Sequence, residues 1–219
     1  MTAPLTKHLG EFIAGLRFVD LPDAVRDRIG HAFADCAAVM VVGASEPAPD
    51  VLRKVLSPSG SESTLIGRGG GASAPEAAWI NGTAAHALDF DDSSRRGGHT
   101  SAVLVPAILA EGEALRASGE CVVAAYAAGF ETMSELIWRD KGEHHLKGWH
   151  PTGVFGPVAA AAACASLRGL DARQASMAHF TRIGNRGIGD LDPIGVVNGD
   201  QCQCIEAGAV DVVRAAIAI

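Results

Sequence analysis

Aromatic side chains are scarce in this chain: 7 Phe, 3 Trp and 1 Tyr make up 5% of 219 residues. The hydrophobic share is 48%, and much of it is Ala and Val. A core of such small groups requires backbones in close contact, which favours tightly packed helices. Strand-like alternation of any length is missing, and so is any internal repeat. Basic runs are absent and the formal charge is -7, which argues against nucleic acid as a partner. A local Arg or His cluster still permits an anionic substrate. No apolar stretch approaches the roughly 20 uncharged residues that span a bilayer, so no membrane association is expected. CxxC is absent too. Cys36, Cys121 and Cys164 lie in apolar helical runs, where Cys acts as a small hydrophobe. Cys202 and Cys204 form a CxC pair with no histidine nearby, short of the ligand set a zinc site uses. No metal and no cofactor are expected. The odd cysteine count and the lack of a signal-peptide pattern give a cytoplasmic expectation.

The positive signal is helical. Leu5, Leu9, Phe12, Ile13 and Leu16 fall at helical spacing. Residues 23–42 read as a second helix, amphipathic and then apolar all round, with Asp20 as N-cap and Pro22 at its start. Further helices are expected over residues 47–55, 75–88, 101–117, 120–138, 157–167 and 171–180. Residues 57–73 are rich in Gly and Ser, with a possible extended segment at 63–66. Gly69 to Gly71 reads as a turn, because a phosphate-cradling loop needs GK[ST] or GxGxxG. Residues 139–147 are polar and read as exposed. A glycine-rich segment over 181–206 shows no helical stripe, and an apolar helix over 207–219 ends on AAIAI. Such an ending calls for a covering surface, from a homodimer or a second chain. The fold class is all-α, a bundle-like single domain over 1–219.

Two segments carry chemistry. Residues 81–100 read NGTAAHALDFDDSSRRGGHT: an apolar run leads straight into Asp89, Asp91 and Asp92, and His99 follows a short loop later. Ionised carboxylates resist burial unless paired, so they belong at the rim of a cleft. Residues 148–156 read GWHPTGVFG, and Pro157 follows as a helix-start residue. Pro151 restrains His150 to extended backbone just ahead of a buried helix.

These blocks resemble the MmgE/PrpD family, which includes 2-methylcitrate dehydratases, cis-aconitate decarboxylases and iminodisuccinate epimerases. The matching text is NGTAAHALDFDD, the His of GGHTSAVLVPAILA, and GWHPTGVFGPVAAAAACASLRGLD, with EFIAGLRFVDLPDAVRDRIGHAFADCAAVMVVGA similar to the family's opening helices. The resemblance is strongest over residues 8–175. It implies a large helical domain without the family's α+β lid domain. It also implies acid–base chemistry beside a carboxylate of a small di- or tricarboxylate, with His99 and His150 as the pair and Asp89 orienting or charging a histidine. Ser93, Asp92, Arg96 and Thr152 are the implied substrate-binding residues. Family members carry a Lys and a His ahead of the helix that matches residues 207–219. The text here, VVNGDQCQCIEAG, holds neither, and Glu206 stands near the missing histidine.

Other roles compete at several positions. His86, inside the apolar helix, reads as a satisfied core histidine. Asp91 and Asp92 serve equally well as caps or as partners of Arg95 or Arg96. His144 and His145 read as solvated, and His8, His31 and His179 carry no specific signal. Asp89-Phe90-Asp91-Asp92 also fits the DxDD spacing of class II terpene cyclases, but those need an aromatic-lined cavity that this chain can scarcely build. Three functional readings therefore stand: a lyase or isomerase of this kind, a repurposed domain completed by a partner chain, and a non-catalytic binding module.

Overall fold

A computed structural model describes residues 5–94, 98–141 and 143–183. Arg95, Arg96, the CxC pair, Glu206, most of the glycine-rich segment and the expected last helix lie outside the described residues.

The fold is all-α. Helices α1 (Leu5–Gly15), α2 (Asp23–Gly43) and α3 (Pro47–Leu56) precede a two-stranded antiparallel ribbon, β1 (Ser63–Thr64) and β2 (Gly71–Ala72). Then follow α4 (Ala74–His86), α5 (Thr100–Leu115), α6 (Gly119–Asp140), the short α7 (Glu143–Leu146), α8 (Pro151–Leu167) and α9 (Ala172–Ile183). The ribbon is the expected extended segment; its turn lies at 66–68 rather than at 69–71, of which Gly71 opens β2, and Leu65 N–H donates to the Gly70 carbonyl at 3.0 Å. At the start of α4, the amide and hydroxyl of Ser73 donate to the Glu76 carboxylate at 3.2 and 2.7 Å, with Pro75 in the first turn.

One helix cap and one helix start differ from expectation. Asp20 does not cap α2. It ends a 3₁₀ turn, Phe18–Asp20, and accepts from the Arg17 amide at 2.9 Å, while α2 starts at Asp23 as expected with Pro22 as its N-cap. Helix α8 begins at Pro151, and Pro157 lies inside it. Both prolines suit a helix start, but burial of Thr152, Phe155 and Gly156 draws the earlier turn into the helix. Packing here overrides the local cost of an interior proline.

The small-residue core takes the form the composition requires. In α8, residues 158–165 are all buried. Helix α6 lies along α8, and α5 lies against α4 and α8. A Cβ on Gly129 of α6 would stand 2.6 Å from Leu104 of α5 and 3.0 Å from the Ala159 carbonyl of α8. The three backbones therefore meet at a point that admits no side chain. Glu111, buried in α5, is neutralised by Arg168 just past the end of α8, which ties the far ends of these two helices. Their near ends carry His99 and His150. Among the described residues, no helix is long and apolar enough to cross a membrane.

Candidate functional site

Helix α4 ends at His86, and the chain then reverses through Asp89, whose φ of +56° is left-handed. That reversal sends Phe90 out to solvent and turns Asp91 inward, its side chain 0% exposed. A buried carboxylate needs partners, and two imidazoles supply them. His86 Nδ1 lies 3.0 and 3.1 Å from the two Asp91 oxygens. His99 Nδ1 lies 3.0 Å from Asp91 Oδ2, off the direction of a hydrogen bond, so this contact is electrostatic. As a carboxylate Asp91 can only accept, which places the hydrogen of His86 on Nδ1. The sequence reading put His86 in the core. It is partnered as a core histidine would be, but its side chain is 36% exposed and forms part of a cleft wall. The reason lies at the helix end: the last turn of α4 projects past the packed Ala residues into the loop. Asp91, read as a cap or an arginine partner, is instead the shared support of two histidines.

His99 is the N-cap of α5 and His150 the N-cap of α8. Gly98 makes the first possible. Its φ is +93°, and a Cβ there would come within 2.9 Å of Met133 Cε. The two caps are tied together, since the His99 amide donates to Thr152 Oγ1 at 2.8 Å. His150 has extended backbone (φ -78°, ψ 116°), as Pro151 dictates. Its ring stacks on His86 with centroids 5.7 Å apart and stands 6.3 Å from His99, while the His86 and His99 rings are 4.6 Å apart. Desolvation, helped by the neighbouring His86 and His99, holds the His150 pKa below the ordinary imidazole value.

Asp89 is 77% exposed, with Oδ1 3.5 Å from His99 Nε2. Asp92 faces the helix: it accepts from the Ser101 amide at 3.1 Å and from the Ser101 hydroxyl at 2.5 Å. Ser101 in turn meets the Tyr126 hydroxyl at 2.8 Å. Asp92 thus satisfies the opening of α5 and holds His99 in register. Burial pushes the Tyr126 phenol up to about 12. Behind this network the buried Cys36 thiol donates to the Ser101 carbonyl at 3.4 Å, and burial raises its pKa, so it is no ready nucleophile. Ser93 sits exposed in the connecting loop. His144 and His145 are exposed, and His144 pairs with Asp140.

A cleft of about 320 Å³ opens beside the imidazoles, lined by His86, His150, Thr152, Gly82, Ala102 and Val103 among others. The structure thus brings Asp89, His99, His150 and Thr152 together and adds His86 and Asp91. The model of the MmgE/PrpD N-terminal domain matches residues 7–182, most of the chain. The chain belongs to the MmgE/PrpD family. A cis-aconitate decarboxylase of Mus musculus is 30% identical over 181 residues, covering 78% of this chain and 36% of that protein. The cis-aconitate decarboxylase of Homo sapiens is 31% identical over 116 residues, covering 51% of this chain and 24% of that one. Cis-aconitate decarboxylase-like protein oryM of Aspergillus oryzae is 31% identical over 177 residues, covering 76% and 37%. The matched part of this chain therefore spans between about a quarter and just over a third of the length of these relatives.

Within this MmgE/PrpD domain, nitrogen atoms able to bind an ion gather closely. One ring nitrogen from each of His86, His99 and His150 lies within 4.8 Å of the others. His86, Asp89, Asp91 and His99 form a second such group. Spacing gave His86 away only weakly. It stands three residues before Asp89 and five before Asp91, close enough for the last helical turn to share their loop.

Proposed function

We propose that the chain carries the proton-transfer site of a lyase or isomerase acting on a small di- or tricarboxylate by decarboxylation, dehydration or epimerisation. The observation that carries this reading is the gathering of three imidazoles beside the cleft, two of them, His86 and His99, set against one buried carboxylate and the third, His150, stacked on His86. His150, with its lowered pKa, is neutral at pH 7 and suits the base that takes a proton from carbon beside a carboxylate. His99 is the acid. The charge of Asp91 stands 3.0 Å from Nδ1, and Nε2 delivers the proton. In a dehydration that proton reaches the departing hydroxyl, which leaves as water. In a decarboxylation the electron pair released with carbon dioxide takes the proton at carbon. Asp89 orients His99 from the rim, and Thr152 holds the two histidines in register. The proton steps use side chains alone. Ser93, exposed in the connecting loop, is a partner for a substrate carboxylate, Arg96 is assigned the same role from its sequence position alone, and a homodimer or a second chain in the cytoplasm would close the open side.

Proton NMR in deuterated water tests this with cis-aconitate, citrate, 2-methylcitrate and related diacids. Turnover, or deuterium exchange beside a carboxylate, is expected, with a loss of about 10²–10⁴-fold in His99→Ala. Turnover in that variant within a factor of about two of the parent would remove His99 from the mechanism.

A further inference from the structure

We infer that His86, His99 and His150 form a binding site for a single divalent transition-metal ion, and that metal binding and proton transfer exclude one another. Three imidazoles are the protein ligand set of an open zinc site, which leaves a fourth position for water or a ligand oxygen. Zn–N bonds of about 2.0–2.1 Å set tetrahedral ligand atoms about 3.3 Å apart. Ring nitrogens that already lie within 4.8 Å of one another need only small side-chain movements to reach that spacing.

The support behind the rings is also in place. Metal-bound histidines characteristically present their other ring nitrogen to a carboxylate, which fixes tautomer and orientation. Asp91, with a side chain 0% exposed, stands 3.0 Å from Nδ1 of both His86 and His99. Nε2 is then the nitrogen each of these two rings leaves free for an ion. A single buried carboxylate facing two histidines is more than packing requires, and it is the outer shell such a site needs. His150 completes the set from the N-cap of α8, its ring stacked on that of His86. Nearby, Asp89 is placed to hydrogen-bond a metal-bound water from the rim.

An imidazole nitrogen whose lone pair is on a metal can neither accept nor deliver a proton. If the proton chemistry proposed above is right, which this consequence alone rests on, bound metal silences it.

The test uses the full chain, stripped with EDTA and titrated with Co²⁺ under visible absorption and with Zn²⁺ in a calorimeter. One ion per chain is expected, with the intense visible bands of low-coordinate cobalt. His86→Ala and His150→Ala should each abolish it, and Asp91→Asn should weaken it by about 10–100-fold. His144→Ala and His145→Ala should leave it unchanged. No saturable binding by the folded parent chain, or binding that survives His86→Ala and His150→Ala, overturns the site. Deuterium exchange that continues at saturating Zn²⁺ overturns the exclusion. Metal binding in a chain with no exchange on any diacid sustains the site while removing the proposed activity, so the two failures are distinguishable.

Discussion

Replacing Asp91 with asparagine keeps the volume of the side chain and removes its charge. Its two oxygens stand 3.0 and 3.1 Å from His86 Nδ1, and Oδ2 is 3.0 Å from His99 Nδ1. A hydrogen bond to a charged group contributes about 1.5–3 kcal/mol. His86 is partly exposed, so water recovers some of its share. Nδ1 of His99 is buried and has no hydrogen-bond partner, so it loses the carboxylate charge beside it, with the exposed Asp89 left at Nε2. For Asp91→Asn the loss should be about 1.5–3 kcal/mol, whereas Asp91→Ala, which also opens a hole, should reach about 3–5 kcal/mol. In a domain of this size each kcal/mol moves Tm by about 2–4 °C, so asparagine should lower it by about 3–12 °C. Urea denaturation gives the free energy, and deuterium exchange on the best diacid gives the chemistry. Both should fall together, because the carboxylate that offsets burial also aims the rings. An Asp91→Asn chain within about 0.5 kcal/mol of the parent, the range of an unremarkable surface change, would refute the account of Asp91 as the shared support.

Tyr126 is the only tyrosine in the chain, so phenolate absorbance reports it alone. The folded protein should show no phenolate step near 10, since burial holds the group at about 12. The unfolded chain releases that proton first, so the stability tied to Tyr126 is present below about 10 and is lost as pH rises through about 12. A phenolate step near 10 in folded protein would contradict the buried Ser101–Tyr126 network. The His150 imidazole signal in an NMR titration should shift below the ordinary value, and His86→Ala should move it back upward. Its sign for stability is the reverse of that of Tyr126. On acidification the unfolded chain takes up the proton first, so stability is lost as pH falls from the ordinary imidazole value through the lowered folded one. Gly98→Ala should cost about 1–3 kcal/mol from its φ of +93°, and more from the contact with Met133, seen as a lower denaturation midpoint. A midpoint equal to that of the parent would mean that the 98–99 turn is not needed to present His99.

The helices were legible because small apolar residues repeat at helical spacing, and the ribbon because Gly and Ser interrupt it. Helix starts were less so. Pro151 and Pro157 are equivalent signals locally, and only the burial of Thr152 and Phe155 selects the first. His99, His150 and Asp89 could be picked from the sequence, since polar groups at the ends of apolar runs have few structural uses. His86 could not. A histidine in an Ala-rich run looks the same whether the helix ends one turn later or one residue later, and it is the end at His86 that opens it to the cleft. Asp91 and Asp92 are neighbours of identical type with opposite duties, one serving the histidines and the other capping α5. Backbone direction after Asp89, in a left-handed conformation that sequence scarcely signals, decides which is which.

The placement of His99 and His150 as N-caps explains more than their proximity. Helices α5 and α8 lie against each other, and the His99 amide reaches Thr152 in the first turn of α8. Both helices therefore begin on one side of the cleft, and each helix N-terminus carries the positive end of its dipole. That field opposes protonation of His150 and attracts anions. It acts in the same direction as the desolvation that lowers the pKa of His150. A polycarboxylate drawn to two converging helix starts would meet a neutral histidine able to accept its proton, beside a second one braced by a buried carboxylate. Net charge says little about such a site: the chain as a whole is at -7, yet the ends of two helices oppose that sign where it matters. The acidic residues at the site fit the same scheme. Asp91 and Asp92 are turned inward and engaged, and only Asp89 faces the cleft's rim.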